Sequence, residues 1–188
     1  MEFLAPGAIV DMGGAGAPTG LPKFDQRVAD KLAASSAYLD LNPQSSGWDT
    51  VVLLRRKQAR GEPLSAQEAA QLANLTAYFD AFLPVIGTLR GMGLVDRMAF
   101  GSDAGPFDTE FGHMEYSVHL ARLAGLSPME SLQVVTRNPA RMMGLDSTIG
   151  TVGPGKKADL LVLDGDPLDN PDNLRRVAAV FKSGVRVV

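Results

Sequence analysis

Met98, Ala99 and Phe100 form a short apolar run that stops at Gly101 and is followed at once by a carboxylate, Asp103. Gly105 and Pro106 then turn the chain. A buried strand, an acid, a turn and then a helix is how an α/β barrel presents a carboxylate at the carboxyl end of a strand, where such folds keep their chemistry. The same residue also fits a turn aspartate that bonds its own backbone. Two histidines follow, His113 and His119, and there is no cysteine. Six residues apart on one expected helix, their side chains point in different directions. His119 reads as a helix-face residue. His113, close to the loop after Asp103, is a candidate for touching a small-molecule substrate. Asp108 and Glu110 read as solvated loop acids.

The elements that must position these groups follow from the spacing of apolar residues. Phe24, Val28 and Leu32 predict an amphipathic helix. Residues 37–41 alternate and stop at Asn42-Pro43, which reads as a strand. Residues 45–50 read as loop, and Arg55, Arg56, Lys57 and Arg60 as a solvated helix face. Ser65 and Glu68 form a capping box, opening a long helix to about Arg90 that Pro84 should kink or split. A helix is expected over 113–124, closed by Gly125. Ser127-Pro-Met-Glu130 is a second capping box, with a helix to about Thr136, and Asn138-Pro139 reads as a cap opening a short third helix. Asp159 should set a turn into a strand over 158–163. Residues 177–181 and 185–188 read as strands joined through Ser183-Gly184. At the other end, residues 1–10 read as an interrupted strand. Gly13, Gly14, Gly16 and Gly20 form a loop lacking the Lys-Ser/Thr pair of a phosphate cradle, so nucleotide binding there is the weaker reading.

With 188 residues, 45% of them hydrophobic, the chain can bury one medium core. It is short for a complete eight-stranded barrel, which typically needs about 250 residues. A net charge of −3 with interspersed signs points to neither nucleic acid nor a membrane surface. The absence of cysteine excludes disulfides and thiolate metal sites. No run approaches a membrane span, and the acidic start at Glu2 makes a poor signal peptide. A cytoplasmic location is expected.

From Gly101 onward an ordered set of motifs runs through nearly half the chain. They are Gly101-Ser-Asp-Ala-Gly105, Ala124-Gly-Leu-Ser-Pro128, Thr136-Arg-Asn-Pro-Ala140, Gly144-Leu145, Ile149-Gly150, Gly155-Lys-Lys-Ala-Asp-Leu160, Asp164-Gly-Asp-Pro167 and Val180-Phe-Lys-Ser-Gly184. In order and spacing this set resembles the metal-dependent amidohydrolases, near their imidazolonepropionase-like and prolidase-like branch. From residue 24 to 97 the likeness is looser and resembles the family's seventh barrel unit with a long insertion. The resemblance implies a distorted (β/α)8 barrel with one or two divalent ions, often zinc, at its mouth. It implies a His-x-His pair on the first strand, a carboxylated Lys or a Glu on the fourth, single His ligands on the fifth and sixth, and an Asp on the eighth. Asp103 matches that last Asp, which by resemblance ligates metal and takes the proton from the attacking water. A cation lowers the pKa of bound water to about 7, and a nearby carboxylate receives the proton.

The sequence departs from the family in its other ligands. It has no His-x-His, and the sixth-strand His would fall near residues 1–6, where Ala and Pro stand. One carboxylate does not hold a catalytic zinc, which commonly has three protein ligands. The expected architecture is α/β, a partial (β/α)8 TIM-type barrel of the last two to three units over residues 1–148, then strands of a small β-sandwich over 149–188. The expected function is metal-dependent hydrolysis of amide or other C–N bonds, of cyclic amide or dipeptide type, incomplete in this chain alone unless a companion chain supplies the missing ligands. The rival is a non-catalytic, self-associating partial barrel, since unpaired strand edges and uncovered apolar faces favour homo-oligomers.

Overall fold

The computed structural model describes residues 21–105 and 109–188. The interrupted strand over 1–10, the glycine loop, Pro106 and Asp108 lie outside the described residues. The first element is α1 (Gln26–Ala34), capped by the Asp25 carboxylate, which accepts from the Arg27 N–H. The alternating run 37–41 condenses to β1 (Leu39–Leu41). A 3-10 turn over Gln44–Ser46 and α2 (Trp48–Ala59) follow. By sequence, residues 45–50 read as loop. The helix starts earlier because Trp48 and Val51 are buried on its inner face, a packing gain that composition does not display.

The first capping box forms as expected, with Ser65 and Glu68 bonding each other's backbone N–H groups. It opens α3 (Ala66–Gly91), which runs through Pro84 as one helix rather than splitting there. Phe82, Val85 and Ile86 flank the proline and are at most 4% exposed. Burying each is worth about 1.5–3 kcal/mol, enough together to offset the roughly 3 kcal/mol an interior proline costs. By length and composition α3 could cross a membrane, contrary to the expectation that no run would qualify. Here one side of it, from Leu75 to Leu89, fills the core.

The chain then returns to β2 (Met98–Phe100), which pairs parallel with β1, Leu39 opposite Met98 and Leu41 opposite Phe100. This is a β-helix-β unit, with α2 and α3 as the crossover. Beyond it come α4 (Met114–Leu123), α5 (Pro128–Gln133) and α6 (Arg137–Met142). The Ser127–Glu130 capping box is also formed. Asn138, by contrast, is no cap. Thr136 holds that place, and Asn138 is fully buried inside α6, donating to the carbonyls of Val95 (2.8 Å) and Met98 (2.9 Å). It fastens α6 to the start of β2. Arg97 does similar work on the other side, donating to the carbonyls of Leu32, Ser35 and Ala37 at the carboxyl end of α1.

Residues 149–188 carry β3 (Leu160–Leu163), β4 (Val177–Lys182) and β5 (Val185–Arg186), one antiparallel sheet in that order. Among the described residues it is a single layer, so the expected sandwich is present as one sheet only. Its β4–β5 hairpin turns on Ser183 and Gly184, with φ of 51° and 83°. Positive φ at both positions is what a tight two-residue hairpin turn needs. Asp159 pins this hairpin, accepting from the Ser183 N–H and the Lys182 ammonium, both at 2.7 Å, instead of bonding its own backbone.

Candidate functional site

The carboxyl ends of β1 and β2 lie side by side. β2 is held on both flanks: the Gly101 N–H donates to the Leu41 carbonyl, and the Phe100 N–H to Val134. Gly101 lets the chain pass close to the side chains at the end of β1. A Cβ there would come within 2.5 Å of the Asn42 side-chain oxygen and 3.7 Å of the Asp40 carboxylate. Asp40, Asn42 and Gly101 therefore crowd one end of the two-stranded sheet. Asp103 follows with φ of 49°, a left-handed conformation uncommon for a non-glycine residue. The chain bends sharply there, straight after the strand. Desolvation first, and the neighbouring Asp103 charge second, push the Asp40 carboxyl above its ordinary value.

A polar layer lies beside these strand ends. Gln44, fully buried, donates to Asp49 (3.2 Å) and accepts from Ser117 (3.4 Å). Desolvation raises the Asp49 carboxyl, while the Gln44 bond and the His113 charge pull the other way. His113 stands just ahead of α4 as its N-terminal flanking residue, not within the helix beside His119. Its Nδ1 is 3.0 Å from Glu115 Oε1 and its Nε2 is 3.0 Å from Glu110 Oε2. Glu115 is buried and also pairs with Arg175 at 3.2 Å. His119 is packed away from this group, its ring 6.0 Å from that of Trp48.

Among the described residues no group of three or more His, Cys, Asp or Glu side chains could hold a metal ion. Asp40 and Asp103 offer two carboxylates where a catalytic zinc commonly takes three protein ligands. The described residues do not fit a complete metal centre.

Of the residues singled out in the sequence, Asp103 stands at the strand end where it was expected, and His113 lies on the loop that follows. Glu110 is exposed but engaged with His113. Asp40, Asn42, Gln44, Asp49, Glu115 and Arg175 were missed. Asp40 had a signal, because residues 37–43 repeat the strand-then-polar pattern of 98–103. Glu115 had none, since an acid in the first turn of a helix is ordinary.

Residues 87–187, more than half of the chain, match the model of the Amidohydrolase family. The chain belongs to the amidohydrolase family. It is 45% identical over 58 residues to adenine deaminase 2 of Jannaschia sp., covering 31% of this chain and 9% of that protein. It is 39% identical over 93 residues to an adenine deaminase of Methanothrix thermoacetophila, covering 50% of this chain and 15% of that one. Among solved structures it resembles a candidate prolidase from Bifidobacterium longum, with a TM-score of 0.66 and 24% identity over 87% of this chain and 40% of that one. A prolidase complexed with N-methylphosphonate-L-proline gives 0.61 and 22%, over 87% and 38%. At these identities the structures speak for the fold alone, that of a partial α/β barrel of the amidohydrolase type. The chain spans less than half the length of each of these relatives.

Proposed function

We propose that this amidohydrolase chain contributes the closing barrel strands, and one essential carboxylate, to a hydrolase of amide or other C–N bonds. The observation that carries the reading is Asp103, held by a left-handed backbone just after β2, close enough to Asp40 at the end of β1 for its charge to raise that carboxyl. A carboxylate so placed takes the proton from an attacking water and passes it to the leaving nitrogen. A divalent cation, zinc in this reading, would need donors beyond those described, supplied by polypeptide outside these residues. The substrate is a small molecule of the cyclic amide, aminopurine or Xaa-Pro dipeptide class. Loops at the strand ends meet substrate in barrels, and His113 is the contact residue we assign on this one. The β3–β5 sheet is read as one layer of a small sandwich.

The test is complementation. The chain is co-expressed with a polypeptide carrying the family's His-x-His strand and bridging ligand. Hydrolysis of adenine, cyclic amides and Xaa-Pro dipeptides is then followed with and without a chelator. The expected result is chelator-sensitive activity in the pair, no activity in the chain alone, and loss on Asp103→Asn. Activity that survives Asp103→Asn would remove the assignment.

A second reading, a non-catalytic module that self-associates, is favoured by the uncovered sheet, where Leu161, Val162, Val185 and Val187 are exposed. Light scattering distinguishes the two: a clean monomer at high concentration counts against self-association.

A further inference from the structure

His113 faces a carboxylate at each ring nitrogen, Glu115 at Nδ1 and Glu110 at Nε2, both at 3.0 Å. A carboxylate is an acceptor only, and a neutral imidazole has one N–H to give. Only the doubly protonated ring satisfies both partners at once. The two partners differ in kind. Glu110 is 74% exposed and sits on the loop after Asp103, whereas Glu115 is 7% exposed and sits in the first turn of α4. Glu115 also has a second cation, since Arg175, from the short turn Pro171–Arg175, reaches the same Oε1. The Arg122 guanidinium joins α4 to that same C-terminal segment, donating to the Leu168 carbonyl at 2.9 Å.

We propose that His113 is a proton-operated staple: when doubly protonated it ties the loop carrying Glu110 to α4 through Glu115, and when neutral it must release one of the two. Glu110 is the partner released, because Arg175 still neutralises the buried Glu115 while solvent accepts the exposed Glu110. The groups facing the ring are Glu110 on its own loop, Glu115 and Tyr116 on α4, Asp49 on α2, and Arg175 on the C-terminal turn. Tyr116 stacks on the ring at 5.3 Å. Glu115 above all, then Glu110, favour the charged ring, while desolvation first and Arg175 after it oppose it. Asp49 adds attraction from the other side. The net direction is a histidine that titrates above its ordinary 6.5. A group raised in this way holds its contribution in full below the unfolded value and loses it as pH rises through the folded one. Residues 109–113 are therefore held to α4 below that raised midpoint and freed above it. This goes beyond the hydrolytic reading and does not depend on it.

The experiment is an NMR titration of the full 188-residue chain. With only two histidines, His119→Gln leaves His113 as the single imidazole signal. A midpoint above 6.5 is expected. Glu115→Gln should lower it, Glu110→Gln should lower it less, and Arg175→Gln should raise it. Exchange of the Gly105 amide, which donates to the Thr109 carbonyl at 3.0 Å, corrected for the intrinsic pH dependence, should lose its protection through that same midpoint. A structural role for Glu115 alone would weaken the fold without moving the titration in opposite directions in the Glu115 and Arg175 variants. Should Glu115→Gln fail to fold, the exposed Glu110→Gln carries the test. A midpoint at or below 6.5 in the parent chain, or loop protection unchanged across it, overturns the proposal.

Discussion

Residues 21–148 and 149–188 are stabilised in different ways. In the first region Phe82, Ile86, Phe100 and Val134 are sealed from solvent in one apolar core that β1 and β2 share with the helices. In the second only Ala179 is buried, and both Leu161 and its neighbour Val162 face solvent. What orders the second region is polar: the Asp159 bonds to the hairpin, and the ties from Glu115 and Arg122 to residues 168–175. The Lys182–Asp159 pair is weak beside apolar burial, since an exposed ion pair contributes about 0–1 kcal/mol and one buried aromatic side chain about 1.5–3. The barrel region holds Asp103 in a left-handed backbone conformation straight after a buried strand. The C-terminal sheet presents apolar side chains that suit it to be covered by something else.

Several substitutions would break or sharpen that contrast. Phe82→Ala should cost about 3–5 kcal/mol of unfolding free energy, while Leu161→Ala should stay within about 0.5. Urea denaturation compares them, and equal losses would abolish the distinction. Asn138→Ala leaves the carbonyls of Val95 and Met98 without their buried donor and should cost about 1–3 kcal/mol for each carbonyl left unpaired. If it proves neutral, α6 is not fastened to β2 as described. Ser127→Ala removes one half of a capping box and should cost about 1 kcal/mol, read from the same denaturation curves. The smallest effect is that of an exposed charge. Lys57 first, and then the Ser65 bonds, draw the Glu68 carboxyl down to about 2. A depressed carboxylate contributes above its unfolded value and loses that contribution as pH falls through the folded one. Glu68 should therefore titrate near 2 by NMR, and Lys57→Met should move it upward with little change in melting.

Much of the barrel region was legible because its signals are local. Ser65 with Glu68, and Ser127 with Pro128 and Glu130, announce helix starts within four residues, and both boxes formed. The run 98–103 announced a strand followed by an acid, and β2 and Asp103 stand there. The start of α2 was not legible, because burial of Trp48 and Val51 decides it and burial is a property of the neighbours. Pro84 misled for the same reason: its local cost is real, but the packed side of α3 outweighs it.

The residues themselves determined where α3 and α5 begin, where the Ser183–Gly184 hairpin turns and which carboxylate follows a strand, since capping and backbone preference act over a few positions. The tertiary structure decided that Asp40 joins Asp103, that Asn138 serves β2 rather than its own helix, and that His113 and Arg175 share one buried carboxylate. Those partners are separated by 40 to 63 residues in three of the four pairings. Bonds at that separation depend on how whole elements pack, and that is set by apolar burial summed over the chain.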